Sequence, residues 1–179
     1  MLIGLAALLR IAAASVFVLS AFWKLSHISS FARAFEGFAP ARLQRSGRQA
    51  VLPVAALELA LAAMLLAGLA LSQLRFAGPL SSLAVVGVFS ILVARASRAD
   101  ECGCWSMPFV DDNRRARQLV LARNAVLLLM LALASALPAG VTVVTAAAVP
   151  AGMVLGLLTV ELPQIVGVAT FRGLRTVDG

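Results

Sequence analysis

The sequence predicts an all-α polytopic membrane protein, a bundle of four or five spanning helices. Three observations carry that reading. The 179 residues are 61% hydrophobic with a mean hydropathy of +0.98, whereas a soluble domain is roughly half apolar. The apolar residues fall into five long runs, each near the roughly 20 residues that cross a hydrocarbon layer. Most of the 15 basic residues sit in the polar connections between those runs, as they do in the loops of membrane proteins. Runs of this kind would leave too much apolar surface in water, and lipid is the solvent that suits them. The length leaves room for a single domain, residues 1–179.

The elements follow in order. The first run covers about residues 2–23, carries one charge, Arg10, and is closed by Lys24. No Lys or Arg precedes it and it is too long for a signal-peptide core, so it is expected to be a spanning helix. In the polar stretch that follows, Phe31, Phe35 and Phe38 are spaced by four and three and line one face of a helix. Ser29, Ser30, Arg33 and Glu36 fall on the other face, and Ser29 or Ser30 is the candidate N-cap. A short helix lying in the headgroup layer fits that pattern.

The second run, about 51–73, is entered through Val51-Leu52-Pro53, with Pro53 expected in the first turn. Arg75, Gly78 and Pro79 mark a turn before the third run, about 79–95. Residues 96–118 are polar and hold both cysteines. The fourth run, about 119–137, ends at Pro138 and Gly140. A fifth run, about 141–160, begins with the β-branched stretch Val141 to Thr145 and continues through Pro150, Gly152 and Gly156. With its flank to residue 168 it is expected to be an extra C-terminal helix.

With five crossings, the 24–50 stretch, the 96–118 stretch and the C-terminal tail share one side, with 13 of the Lys and Arg residues against two, Arg10 and Arg75, on the other. The positive-inside rule then places the N-terminus outside and the cysteine loop and C-terminus in the cytoplasm. The net charge of +7 is expected to meet lipid headgroups rather than nucleic acid, for which no motif is present. The single histidine, His27, excludes a His-rich metal site.

The sharpest chemical feature is Cys102-Gly103-Cys104. Two cysteines one residue apart can close a small-ring disulfide if the backbone turns tightly, and the central Gly permits that turn. Such a ring is strained, and strained disulfides are the labile, reactive ones. Two thiolates can instead bind a soft metal, although no further ligands are evident. Two unreactive small side chains remain the third reading. Apart from the cysteines, several charges lie inside the helices. Glu58 is expected to face Arg123, with Asn124 hydrogen-bonding nearby and Lys24 close to the same membrane face, because an unpartnered charge at that depth costs several kcal/mol. A cation near a thiol favours the reactive thiolate. Arg10 lies deeper, has no evident partner at its depth and is expected to snorkel outward.

Lys24-Leu25 closing a first helix, Phe31 and Phe35, then Pro53 and Glu58-Leu59, Cys102-Gly103-Cys104, and Arg123-Asn124 opening the fourth helix form an ordered set. The set resembles the MauE branch of the DoxX-like membrane proteins, named for methylamine utilisation, over about residues 1–137. The resemblance implies a four-helix core in a bacterial inner membrane and redox-associated work with a thioredoxin-like partner. It makes Cys102 and Cys104 the redox pair and Lys24, Glu58, Arg123 and Asn124 the supporting polar cluster. Trp105 and Ser106 follow the pair where the family usually has an aromatic residue and a Gly. The resemblance implies disulfide work at the outer face, whereas the charge count places the pair inside, where it would be kept mostly reduced.

Two functions from different classes stand out. One is a thiol–disulfide oxidoreductase or electron relay using Cys102 and Cys104. No cofactor-binding motif is present, so a cytoplasmic pair would depend on a cytoplasmic reductant, a membrane quinone or a transient partner. The other is a non-catalytic accessory subunit of a larger membrane complex such as a transporter. Small residues at Ala55-Ala56, Ala62-Ala63, Gly152 and Gly156 would then be packing faces. A small-solute or lipid carrier is a third class, for which no inverted repeat is evident.

Overall fold

A computed structural model describes residues 2–38, 47–95, 113–137 and 148–161. Its helices are α1, Leu2–Ser26, α2, Ile28–Phe38, α3, Gly47–Ala70, α4, Ala77–Arg95, α5, Asn113–Ala136, and α6, Ala148–Glu161. A single tight turn of 3-10 helix, Ser72–Leu74, joins α3 to α4. By length and composition α1, α3, α4 (with the preceding turn) and α5 can each cross a bilayer, while α6 is shorter. The polytopic bundle expected from the apolar runs is the fold.

The helices outrun the apolar stretches at their polar ends. Helix α3 starts at Gly47, so Pro53 lies inside it rather than in its first turn. Helix α5 starts at Asn113 and includes a basic first turn. Backbone hydrogen bonding does not stop where hydrophobicity does. Of the extra C-terminal helix expected over about 141–168, Ala148–Glu161 is described and is helical; its flanks lie outside the described residues.

Helix α1 is the centre of the bundle and the most buried of the spanning helices. Its alanines at 6, 7, 12, 13, 14 and 21 are all buried, which lets neighbouring backbones approach closely. The main core joins Ala13, Val16 and Phe17 of α1 to Leu61 and Leu65 of α3, Val86 of α4, Leu127 and Leu131 of α5 and Val160 of α6. Leu52, Leu66, Leu80, Ile91 and Leu129 face outward, as lipid-facing side chains do. Side-chain pairs set the directions. Lys24 meets Glu58 while Arg10 meets Gly68, so α1 and α3 are antiparallel. Asn124 meets Ser90 and Val120 packs against Val93, so α4 and α5 are antiparallel in turn.

Helix α6 runs parallel to α1 and docks through its two glycines. A Cβ at Gly152 would lie 2.9 Å from side-chain carbons of Ile11, and one at Gly156 would lie 2.8 Å from the carbonyl oxygen of Ala12. These small residues, expected as candidate faces for a partner subunit, are used inside the chain. Ala55 and Ala62 are likewise buried, while Ala56 and Ala63 are exposed.

Arg10 corrects the sequence expectation. It does not snorkel: it is 0% exposed. Its guanidinium donates to the carbonyls of Gly68 at 2.9 Å, Arg75 at 2.8 Å and Ala134 at 3.1 Å. Gly68 and Ala134 lie in the last turns of α3 and α5, where carbonyls have no partner within their own helix. The cation therefore satisfies three backbone acceptors at once and sits at the negative ends of two helix dipoles. No opposite charge was needed, which is why no partner was visible in the sequence.

Candidate functional site

The opposite end of the bundle gathers the polar side chains. Ser20 and Lys24 are four residues apart and share one face of α1. The antiparallel packing of α1 on α3 brings that face level with Glu58. Lys24 Nζ lies 2.6 Å from Glu58 Oε1, with the Lys24 side chain 1% exposed and that of Glu58 12% exposed. Lys24 Nζ also donates to Ser20 Oγ at 2.6 Å, and Ser20 Oγ donates to Glu58 Oε1 at 3.0 Å. The three form a closed triangle. The ring of Phe31 on α2, its centroid 5.5 Å from Lys24 Nζ, adds a cation–π contact. Phe31 is fully buried and Arg33 and Glu36 are exposed, so α2 is amphipathic as its phenylalanine spacing predicted.

A second polar chain ties α5 to α4. Asn124 Nδ2 donates to Ser90 Oγ at 3.2 Å, and Ser90 Oγ donates to the Val86 carbonyl at 2.7 Å. Arg123 Nη2 donates to Asn124 Oδ1 at 3.3 Å. Arg123 Nε is buried with no hydrogen-bond partner among the described residues. The two polar groups meet around a small cavity of about 50 Å³, lined by Ser20, Glu58, Arg123 and Asn124 together with Val16, Phe17, Val86, Phe89, Val93, Val120 and Leu127. A water takes up roughly 30 Å³ in the liquid, so the cavity has room for about one or two.

The ion-pair expectation is corrected in its partner. Glu58 bonds Lys24, not Arg123, because Lys24 reaches it directly across the α1–α3 seam and Arg123 bonds its own neighbour. Arg123 and Asn124 share the cavity with Glu58. Ser20 and Ser90, which join the charges into networks, were not singled out from the sequence. The available signal was the i,i+4 spacing of Ser20 to Lys24; for Ser90 there was none, since its partner is on another helix. Cys102 and Cys104 lie outside the described residues. The chain connecting Arg95 to Asn113 carries them, and both of those helix ends belong to the end of the bundle that holds Lys24, Glu58 and Arg123.

Comparison with known proteins places the bundle. No curated protein and no solved structure matches the chain. The family described as "Methylamine utilisation protein MauE" matches residues 3–137, which takes in α1 to α5 and leaves α6 outside. That match covers most of the 179 residues, and the chain belongs to the MauE family of membrane proteins.

Proposed function

We propose that this MauE-family protein serves methylamine utilisation as a membrane-embedded thiol–disulfide relay in the bacterial inner membrane, with Cys102 and Cys104 as its redox pair. The observation that supports it best is the buried polar end of the bundle. Lys24, Glu58, Arg123 and Asn124 converge there, and the connection carrying both cysteines leaves from and returns to it. Charges at such depth are costly in lipid and usually mark function. Lys24 is neutralised by Glu58, whereas Arg123, with no carboxylate partner among the described residues, would favour a thiolate over a thiol in a cysteine brought near it.

The reaction is a balanced exchange. One cysteine thiolate attacks a sulfur of a thioredoxin-like partner's disulfide, a mixed disulfide forms, and the partner's other sulfur leaves as a thiolate and takes up a proton. The second cysteine then displaces the partner, which departs as a dithiol. The chain is oxidised by two electrons and the partner reduced by two. Strain in the Cys-Gly-Cys ring favours the return step, in which another dithiol reduces the chain. The excess of Arg at this end supports a cytoplasmic position for it by the positive-inside rule.

Trapping tests the proposal. With Cys104→Ser or Cys102→Ser, one single variant should hold a mixed disulfide with a partner protein that the double variant does not. Absence of any trapped species, with function retained in both single variants, overturns it. Labelling with a membrane-impermeant thiol reagent reads the side: reaction only in inverted vesicles supports the cytoplasmic placement, and reaction only in intact cells after reduction reverses it.

The alternative is a non-catalytic accessory subunit of a membrane complex. It is favoured by an apolar groove of about 560 Å³ on the flank of the bundle, lined by Ile11, Val18, Leu66, Met153 and Leu157 among others. Stoichiometric co-purification of a membrane partner, undisturbed by the cysteine variants, would select it.

A further inference from the structure

Away from the cavity and the cysteines, a second polar recess lies where α2 crosses the start of α3. It measures about 560 Å³ and is lined by Ser29, Ala32, Arg33, Glu36, Arg48 and Gln49. The α2 members are spaced three, one and three apart, so they form one face of that helix. The two helices are in close contact beside it. A Cβ at Gly47 would lie 2.7 Å from the Ala32 carbonyl oxygen and 2.9 Å from Glu36 Oε1.

Three features of this recess point to one kind of ligand. The charges that line it among the described residues are two guanidinium groups and one carboxylate, which sum to a single positive charge. Its neutral lining groups, the Ser29 hydroxyl and the Gln49 amide, are hydrogen-bond donors. Below it, one turn and more along the same face of α3 from Arg48, Leu52, Ala56 and Leu59 form an exposed apolar stripe that runs away from the recess along the spanning helix. A polar recess whose described side chains sum to one positive charge, continued by an apolar stripe into the bilayer, matches a phospholipid: one phosphodiester charge above and acyl chains below. Arg is the side chain best suited to grip phosphate oxygens in pairs.

We infer that the α2–α3 recess binds one anionic phospholipid through its phosphate, with Arg33 and Arg48 as the phosphate ligands and the stripe from Leu52 to Leu59 holding the chains. Glu36 limits the affinity by opposing the charge of Arg33 and Arg48. The lipid clamps α2 against α3.

The full chain, purified in nonionic detergent, provides the test. Dioleoyl phosphatidylglycerol should raise its unfolding midpoint by about 3 °C at saturation, and dioleoyl phosphatidylcholine by much less. Arg33→Gln with Arg48→Gln should abolish the rise, while Arg95→Gln, which removes an exposed arginine at the end of α4, should leave it intact. Glu36→Gln should lower the lipid concentration at half-effect by about threefold, and this gain keeps the test decisive if the double arginine variant fails to fold. An equal rise with phosphatidylcholine, an equal loss in Arg95→Gln, or no gain in Glu36→Gln overturns the inference. If inorganic phosphate alone reproduces an Arg33- and Arg48-dependent rise, the recess takes free phosphate and the lipid assignment falls.

Discussion

Arg10 Nη1 donates to the carbonyl oxygen of Gly68 at 2.9 Å, and the same guanidinium nitrogen would lie 2.9 Å from a Cβ at position 68. The glycine is what lets the cation reach the end of α3. Replacing Arg10 with Leu takes the donor from two buried carbonyls and a third, partly buried one, and should lower stability by about 3 kcal/mol. Gly68→Ala should cost about 1–3 kcal/mol, because its Cβ would press on the Leu74 carbonyl oxygen at 2.8 Å as well as on the guanidinium. The two losses should add only in part, because the contact with Leu74 persists without Arg10 while the contact with the guanidinium does not. Reversible unfolding in mixed detergent checks each value and the double variant.

The Lys24–Glu58 pair behaves differently, since its members are opposite charges at 2.6 Å. Lys24→Met or Glu58→Leu alone strands a buried charge and should destabilise by about 3–5 kcal/mol. The double variant should recover most of that loss, because an apolar pair of similar volume replaces a desolvated ion pair. If the proposed relay is right, recovered stability should come without recovered activity. A double variant as unstable as the singles would show that the pair is held by more than mutual charge.

Glycine positions separate packing from helix propensity. Gly152→Ala and Gly156→Ala press on α1 at under 3 Å and should each cost about 1–3 kcal/mol through overpacking. Gly87 in α4 has nothing within 4 Å of a built Cβ. Gly87→Ala should therefore stabilise the protein, by about 0.5–1 kcal/mol, through the gain in helix propensity. Opposite signs in thermal unfolding confirm that α6 is held to α1 by its glycines.

Asn124 and Ser90 join α5 to α4 at 3.2 Å. A double-mutant cycle with Asn124→Ala and Ser90→Ala should give a coupling energy of about 0.6 kcal/mol, the usual size for hydrogen bonds between helices in membranes. A coupling near zero would mean that Asn124 is retained for the cavity rather than for helix pairing.

Hydrophobic run length alone determined much of this protein. The four spanning helices and the amphipathic α2 were legible because each rests on local periodicity and on the cost of burying backbone in lipid. The residues of the candidate site were legible too, since Lys24, Glu58, Arg123 and Asn124 stand out as polar groups in apolar surroundings. Their pairing was not. Which charge meets Glu58 depends on the rotation and level of α1 against α3, and only the packed bundle sets these. Arg10 was misread for a related reason. Its partners are backbone carbonyls at the ends of α3 and α5 and in the turn after α3, and a carbonyl leaves no mark in a sequence. Nor could the sequence say whether Gly152 and Gly156 face a partner or their own chain. The tertiary structure decided that, because only there does the close approach of α6 to α1 exist.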